Sequence, residues 1–253
     1  RQFFHEKNIQ KLEVQDPVSD LILYDIDHNS VSRIADDPMA FETFPTWAPD
    51  GKTLYYSSAH QPEIATLPSD SIAICFDKIR YDLMRKSFDP STKTFGPEEL
   101  VYDAKSQDLS AMEARISPDG RYLLFSLGGY GTFHIWHRDS DLWVMDLSTG
   151  ESRPLSEANS QDADSFHNWS SNGRWIVFTS RRDDGLFTRV YFSYFDREGN
   201  AHKPFMLPMR DLSGHKDEVY SYNVPEFCIE PVRQSVKDLS RMIEQDALQA
   251  EFK

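Results

Sequence analysis

Apolar and aromatic residues along most of this chain come in short runs broken by Pro, Asp, Asn, Ser and Gly, the pattern of brief β-strands joined by tight turns. One run recurs. Thr46-Trp-Ala-Pro-Asp-Gly-Lys-Thr-Leu-Tyr-Tyr-Ser-Ser58 returns as Arg115-Ile-Ser-Pro-Asp-Gly-Arg-Tyr-Leu-Leu-Phe-Ser126, and again as Asn168-Trp-Ser-Ser-Asn-Gly-Arg-Trp-Ile-Val-Phe-Thr-Ser180. In each copy a strand ends, Pro-Asp-Gly or Ser-Asn-Gly turns the chain with Gly supplying a positive φ, and an aromatic or β-branched strand follows. A second hairpin lies upstream of each: Asp20 to Asp25 with its turn at Asp27–Asn29, Tyr81 to Arg85 with Asp89–Lys93, and Asp141 to Asp146 with Ser148–Gly150. The stretch Arg189 to Asp196, with Glu198-Gly199-Asn200 as its turn, starts a weaker fourth unit that fades after Leu207.

Two hairpins make a four-stranded sheet, and sheets repeated at a near-constant interval read as the blades of a β-propeller. The predicted fold is all-β, with three clear blades and a partial one at 19–60, 78–128, 139–182 and 187–212, incomplete within this chain. Residues 1–18 read as an N-terminal extension or partial blade, and 213–253 as a tail. Within the tail Val232, Val236, Leu239, Ile243 and Ala247 recur at spacings of three and four and predict a helix over about 232–252.

Composition supports the strand reading, since aromatic residues make up 13% of the chain and suit many short strands packed face to face. The formal net charge of −14 makes the average field repel nucleic acid and anionic membranes, so neither is an expected partner. No run of apolar residues is long enough to predict a transmembrane helix. Cys75 and Cys228 match no metal-ligand or redox spacing and read as free thiols.

The repeated Trp47-Ala-Pro-Asp-Gly51 and Ile116-Ser-Pro-Asp-Gly120 resemble the propeller repeats of the TolB-like superfamily, over roughly Asp20 to Arg210. Such repeats also supply the propellers of prolyl oligopeptidase and tricorn-type peptidases. The run from His167 to Gly185, with Tyr222-Asn-Val-Pro-Glu-Phe227, is similar to periplasmic or lipid-anchored members of Bacteroidetes type. The resemblance implies a periplasmic or outer-membrane-associated protein of a Gram-negative bacterium, a lipoprotein anchor included, whose partner is another envelope protein. Propellers of this kind close with about six or seven blades. Together with a start at Arg1, this makes a processed or truncated chain and a missing N-terminal propeller half the expectation.

The densest local chemistry is Gly128-Gly-Tyr-Gly-Thr-Phe-His-Ile-Trp-His-Arg-Asp-Ser-Asp141. Its glycines permit close backbone approach, and His134, Trp136, His137, Arg138 and Asp139, joined by His167, offer donors and acceptors for a polar ligand or partner. Convergence of His137, Asp139, Asp141 and His167 would give mixed nitrogen and oxygen ligands for a divalent metal; calcium or another divalent cation is the minor alternative to no cofactor. The bland reading is that Asp20, Asp82 and Asp141 bond backbone amides at blade entries and that the histidines pack on Trp136. Arg181, Arg182, Asp184 and Arg189 form a charge cluster suited to clamping a carboxylate, or to pairing internally across a tight loop.

The chain carries no Gly-x-Ser-x-Gly, Gly-rich phosphate loop or His-Glu-x-x-His. The reading is therefore a non-catalytic propeller scaffold binding a protein partner or small polar ligand in the bacterial envelope. A metal-assisted lyase or hydrolase acting on an acidic glycan or peptide through His134, His137 and His167 is the alternative. A third is the accessory propeller of a larger peptidase or envelope complex.

Overall fold

The structure, a computed structural model, describes residues 2–4, 13–15, 19–35, 37–208, 220–231 and 233–253. Two short strands, β1 (Gln2–Phe4) and β2 (Glu13–Gln15), pair antiparallel near the N-terminus. The rest of the extension expected over 1–18 lies outside the described residues, apart from the pair itself. A hairpin of β3 (Leu21–Asp25) and β4 (Ser30–Ala35) follows. The first four-stranded sheet is β5 (Ala40–Trp47), β6 (Thr53–His60), β7 (Asp82–Asp89) and β8 (Thr94–Tyr102), with α1 (Pro62–Ala65) and α2 (Ser69–Ile74) in the connection after β6. The second is β9 (Ser110–Ile116), β10 (Tyr122–Gly128), β11 (Asp141–Asp146) and β12 (Glu151–Pro154). The third is β13 (Asp164–Trp169), β14 (Trp175–Ser180), β15 (Arg189–Tyr194) and β16 (Phe205–Met206). The tail carries α3 (Val236–Ile243) and β17 (Glu251–Phe252), the latter parallel to β4.

The turns form as their residues dictate. In all three sheets the amide of the turn glycine reaches back to the residue three earlier, Gly51 to Ala48, Gly120 to Ser117 and Gly173 to Ser170, at 2.8–2.9 Å. The glycines hold φ of +65°, +75° and +63°, a region any other residue enters at a cost. The Asp or Asn before each accepts from the amide two residues on: Asp50 from Lys52, Asp119 from Arg121 and Asn172 from Arg174.

Strand β10 is buried from end to end because its alternate residues serve two interfaces. Leu123, Phe125 and Leu127 pack with Tyr55, Leu83 and Tyr102 of the first sheet. Leu124, with Leu142 and Val144, packs with Trp169, Ile176, Phe178 and Phe195 of the third. The second sheet thus buries both faces against its neighbours, as blades do, and Leu21 and Ala35 of the β3–β4 hairpin pack on Leu54 and Tyr56 of the first.

Three sequence expectations change. The blade boundaries 19–60, 78–128, 139–182 and 187–212 join the second hairpin of one sheet to the first of the next, whereas each observed sheet starts at its Pro-Asp-Gly-type hairpin. Turns specify a hairpin locally, but which hairpins share a sheet is set by long-range register, such as Tyr56 against Met84, Leu124 against Val144 and Val177 against Phe192. The partial blade therefore stands at the N-terminal end as β3–β4, and Arg189–Tyr194 completes the third sheet; positions 209–212 lie outside the described residues. The helix expected over 232–252 spans Val236–Ile243, capped by Ser235 and Asp238. Val236, Leu239 and Ile243 are exposed, so no packing extends it; Val232 lies outside the described residues. Helices α1 and α2 are too short to register as periodic, yet Ile64 and Ile72 pack with Phe41, Ala59, Ile79, Tyr81 and Met112.

Candidate functional site

The first strand of each sheet breaks register with its partner at one matching place. The irregularity falls between Thr43 and Thr46, between Met112 and Arg115, and between Ser165 and Asn168. There Phe44, Glu113 and Phe166 adopt φ of 50°, 62° and 47°, left-handed conformations that bulky residues hold only where the surroundings enforce them. All three stand three residues before Trp47, Ile116 and Trp169, so the repeat marks the position although the residue changes.

These bulges line one pocket. A cavity of about 200 Å³ is bounded by Phe44, Glu113, Arg115 and Phe166–Asn168, with Val224, Pro225 and Glu226 of the tail across it. The pocket continues into the loop after β10 through an edge-to-face contact of Phe44 with Phe133, ring centroids 5.8 Å apart. Beyond lie Phe76 against Tyr130, Tyr130 against His137, and Arg181 over the ring of Trp136 at 5.0 Å.

Beneath this surface a buried polar chain joins the second and third sheets. Glu113 Oε2 accepts from Ser165 Oγ at 2.7 Å and from the Phe166 amide at 2.9 Å, and meets Ser126 Oγ at 3.4 Å. Ser126 Oγ also lies 3.1 Å from His134 Nδ1. Burial pushes the Glu113 carboxyl above the usual range against these hydrogen bonds. Burial also pulls His134 down to about 3, helped by the neighbouring His137, and His167 down to about 3, helped by the charge of Arg115. Ser126 and His134 are sealed from solvent and Glu113 only reaches the cavity wall, 2% exposed, so the serine and imidazole of this run are closed to a substrate. Arg115 is half-buried on the pocket wall and donates from Nη1 to the carbonyl of Ala114 at 3.1 Å, which leaves it the cationic group facing the cavity.

The sequence-predicted residues divide. His167 lines the pocket; His134 lies beneath it, His137 stacks on Tyr130, and Trp136 and Arg181 belong to the aromatic rim. Arg138 is exposed and reaches the carbonyl of Gln161 at 3.3 Å, while Asp139 accepts from the Gly129 amide at 2.8 Å. Asp141 is half-buried, and burial with the charges of Asp164 and Asp139 pushes it up to about 6. The metal-ligand set of His137, Asp139, Asp141 and His167 does not assemble: no three His, Cys, Asp or Glu among the described residues are grouped to hold an ion. Each is placed by a different local demand, Asp139 by the Gly129 amide and His167 by its strand bulge. Of the three blade-entry acids, Asp82 accepts from the Ala104 and Lys105 amides, both at 2.8 Å.

The carboxylate clamp of Arg181, Arg182, Asp184 and Arg189 gives way to internal pairing. Arg182 bonds Asp164 at 2.7 Å, the carbonyl of Ala158 and Ser180 Oγ. Asp184 accepts from the Leu186 and Phe187 amides, and buried Arg189 donates to the carbonyl of Tyr220. Phe44, Glu113, Arg115, Phe166 and Asn168 were not singled out as site residues, although the repeat alignment carries the signal for Phe44, Glu113 and Phe166, and Val224–Glu226 entered only within the Tyr222–Phe227 run that carries the resemblance.

Three antiparallel four-stranded sheets, packed face to face in succession with their first strands adjoining, settle the architecture. The fold is that of a β-propeller. Similar solved structures include TolB from Acinetobacter baumannii, 22% identical over 64% of this chain and 31% of that one, with a TM-score of 0.41. The β-propeller domain of the Trilobed protease from Pyrococcus furiosus is 18% identical over 68% of this chain and 44% of that one, with a TM-score of 0.38. Kuenenia stuttgartiensis hydrazine synthase is 16% identical over 77% of this chain and 49% of that one, with a TM-score of 0.44. The propeller blades of this chain thus match less than half the length of each of these three. No protein-family model matches the sequence, and no curated protein does.

Proposed function

We propose that this propeller is a recognition module that holds a protein partner at the pocket lined by Phe44, Arg115, Phe166 and His167, with the aromatic surface around Phe133 and Trp136 as its rim. The observation carrying this reading is the union of the two features through the Phe44–Phe133 contact. Apolar walls from Phe44 and Phe166, with Arg115, a neutral imidazole and the carboxyls of Glu113 and Glu226 among them, suit a side chain that is apolar at its base and polar at its tip. The bacterial cell envelope is the proposed location, on the strength of the Pro-Asp-Gly repeat and its resemblance; among the described residues no helix is long and apolar enough to cross a membrane. Catalysis finds less support, because His134 and His167, two of the three histidines a lyase or hydrolase reading relies on, are buried and neutral.

Capture of envelope proteins by immobilised chain tests the proposal. Arg115→Ala and Phe44→Ala are expected to lower recovery of a saturable partner at least tenfold, while Glu99→Ala on β8 leaves it unchanged. Equal recovery by all the folded variants contradicts the assignment.

A further inference from the structure

Neighbouring sheets meet through one repeated contact, and the two ends of the succession carry its two halves uncovered. On the second sheet Met145 is 5% exposed because it packs with Tyr55, Leu83 and Tyr102 of the first, where Trp143 joins it. Asp20 to Asp25 aligns with Asp141 to Asp146, which puts Tyr24 at the place of Met145 and Ile22 at that of Trp143. Leu21 packs on the first sheet, so Ile22 and Tyr24, of opposite parity, point the other way; Tyr24 is 50% exposed there and Ile22 more so. Exposed Phe252 of β17, paired with Val31, extends this face. At the opposite end Ile176, Phe178, Tyr191 and Phe195 of the third sheet face the second, so Trp175, Phe192 and Tyr194 face away, with Phe205 against Trp175. Tyr122, the equivalent of Trp175, meets Phe195 of the following sheet with ring centroids 5.2 Å apart. Trp175, Tyr194 and Phe205 remain exposed, while Phe227 of the tail lies on Phe192.

We infer that two copies of this chain join head to tail, the third sheet of each laying Trp175, Tyr194 and Phe205 on the Ile22–Tyr24 face of the other. Every copy owns both halves, so the contact that stacks its own sheets continues into a second copy. The two patches differ, so the contact is heterologous and either closes into a ring or grows into a polymer. Three full sheets and a half-sheet fall short of the smallest propellers, of about four blades, while twice that number lies within their range of about four to eight. Two copies therefore suffice to close it. Each chain carries a formal charge of −14, so mutual repulsion opposes the contact and added salt strengthens it. The pocket among the inner strands takes no part in this contact.

Sedimentation velocity on the full chain tests this. A dimer is expected at micromolar concentration, its dissociation constant falling at least threefold between about 50 mM and about 500 mM NaCl. Tyr24→Glu and Trp175→Glu, each checked for an unaltered far-ultraviolet spectrum, are expected to weaken it at least tenfold. An equimolar mixture of the two variants keeps one intact contact, Trp175 of the Tyr24→Glu chain on Tyr24 of the other, and is expected to associate at least tenfold more tightly than either variant alone. A chain that stays monomeric at about 100 μM overturns the inference and leaves the two faces to a different chain. A dimer indifferent to both substitutions, a mixture no tighter than its parts, or assemblies that lengthen with concentration also overturn it.

Discussion

Single buried groups set how this protein responds to pH. His134 and His167 ordinarily titrate near 6.5 and are held down to about 3 in the fold, so between those values the unfolded chain binds more protons. Stability is therefore expected to fall as pH drops from 6.5 toward 3, and His134→Gln to flatten that limb in urea denaturation followed at pH 4 and pH 7. Glu42 works in the opposite sense. Burial first, then the charges of Asp20, Glu98 and Asp37, lifts its carboxyl to about 7 from an ordinary 4.5, so the folded chain keeps a proton that the unfolded chain gives up. Stability declines as pH rises through that window, and Glu42→Gln is expected to raise the melting midpoint at pH 8 by about 2–4 °C while leaving it unchanged at pH 4. Asp164 has its partner in Arg182 at 2.7 Å, with the carboxylate fully buried. Arg182→Ala strands that charge and is expected to cost about 3–5 kcal/mol in chemical denaturation, a loss that marks Arg182 as a structural strut.

At the scale of strands and turns, the chain repeats one device and varies it where chemistry enters. Gly120 and Gly173 occupy equivalent turns with positive φ and open space or light contact where a Cβ would stand. Gly120→Ala is expected to cost about 1 kcal/mol from backbone strain alone, measurable as a shift in denaturation midpoint without loss of fold. These turns were legible because Pro-Asp-Gly and Ser-Asn-Gly act within four residues. The grouping of hairpins into sheets was not, because Tyr56 meets Met84 across an insertion that holds two helices with no sequence period. Phe44, Glu113 and Phe166 fall between these cases: the repeat aligns them, yet nothing local announces a bulge. Of the histidines chosen from sequence, His167 lines the pocket because its strand bulges there, while His134 turned out to be interior. The charge cluster after β14 was legible in composition, but its pairing with Asp164 depends on a residue in another strand.

Across the whole molecule the sheets follow one another with their inner strands adjoining, and the two ends of the succession differ. Tyr122 of the second sheet is 5% exposed because Trp169 and Phe195 of the third cover it; the equivalent Trp175 of the third sheet is 36% exposed, among Tyr194 and Phe205. The tail passes this end, lays Phe227 on Phe192, and returns to the opposite end, where β17 joins β4 and Arg33 lies over the Phe252 ring at 5.6 Å. Recognition is assigned to neither of these surfaces but to the pocket among the inner strands. Photo-crosslinking in cells from a benzophenone side chain placed singly at Phe44, Phe133, Trp175 or Glu99 tests that assignment most directly. A shared partner band from Phe44 and Phe133, absent from Trp175 and Glu99, is the predicted result; a partner captured from Trp175 or Glu99 and from neither Phe44 nor Phe133 would contradict it.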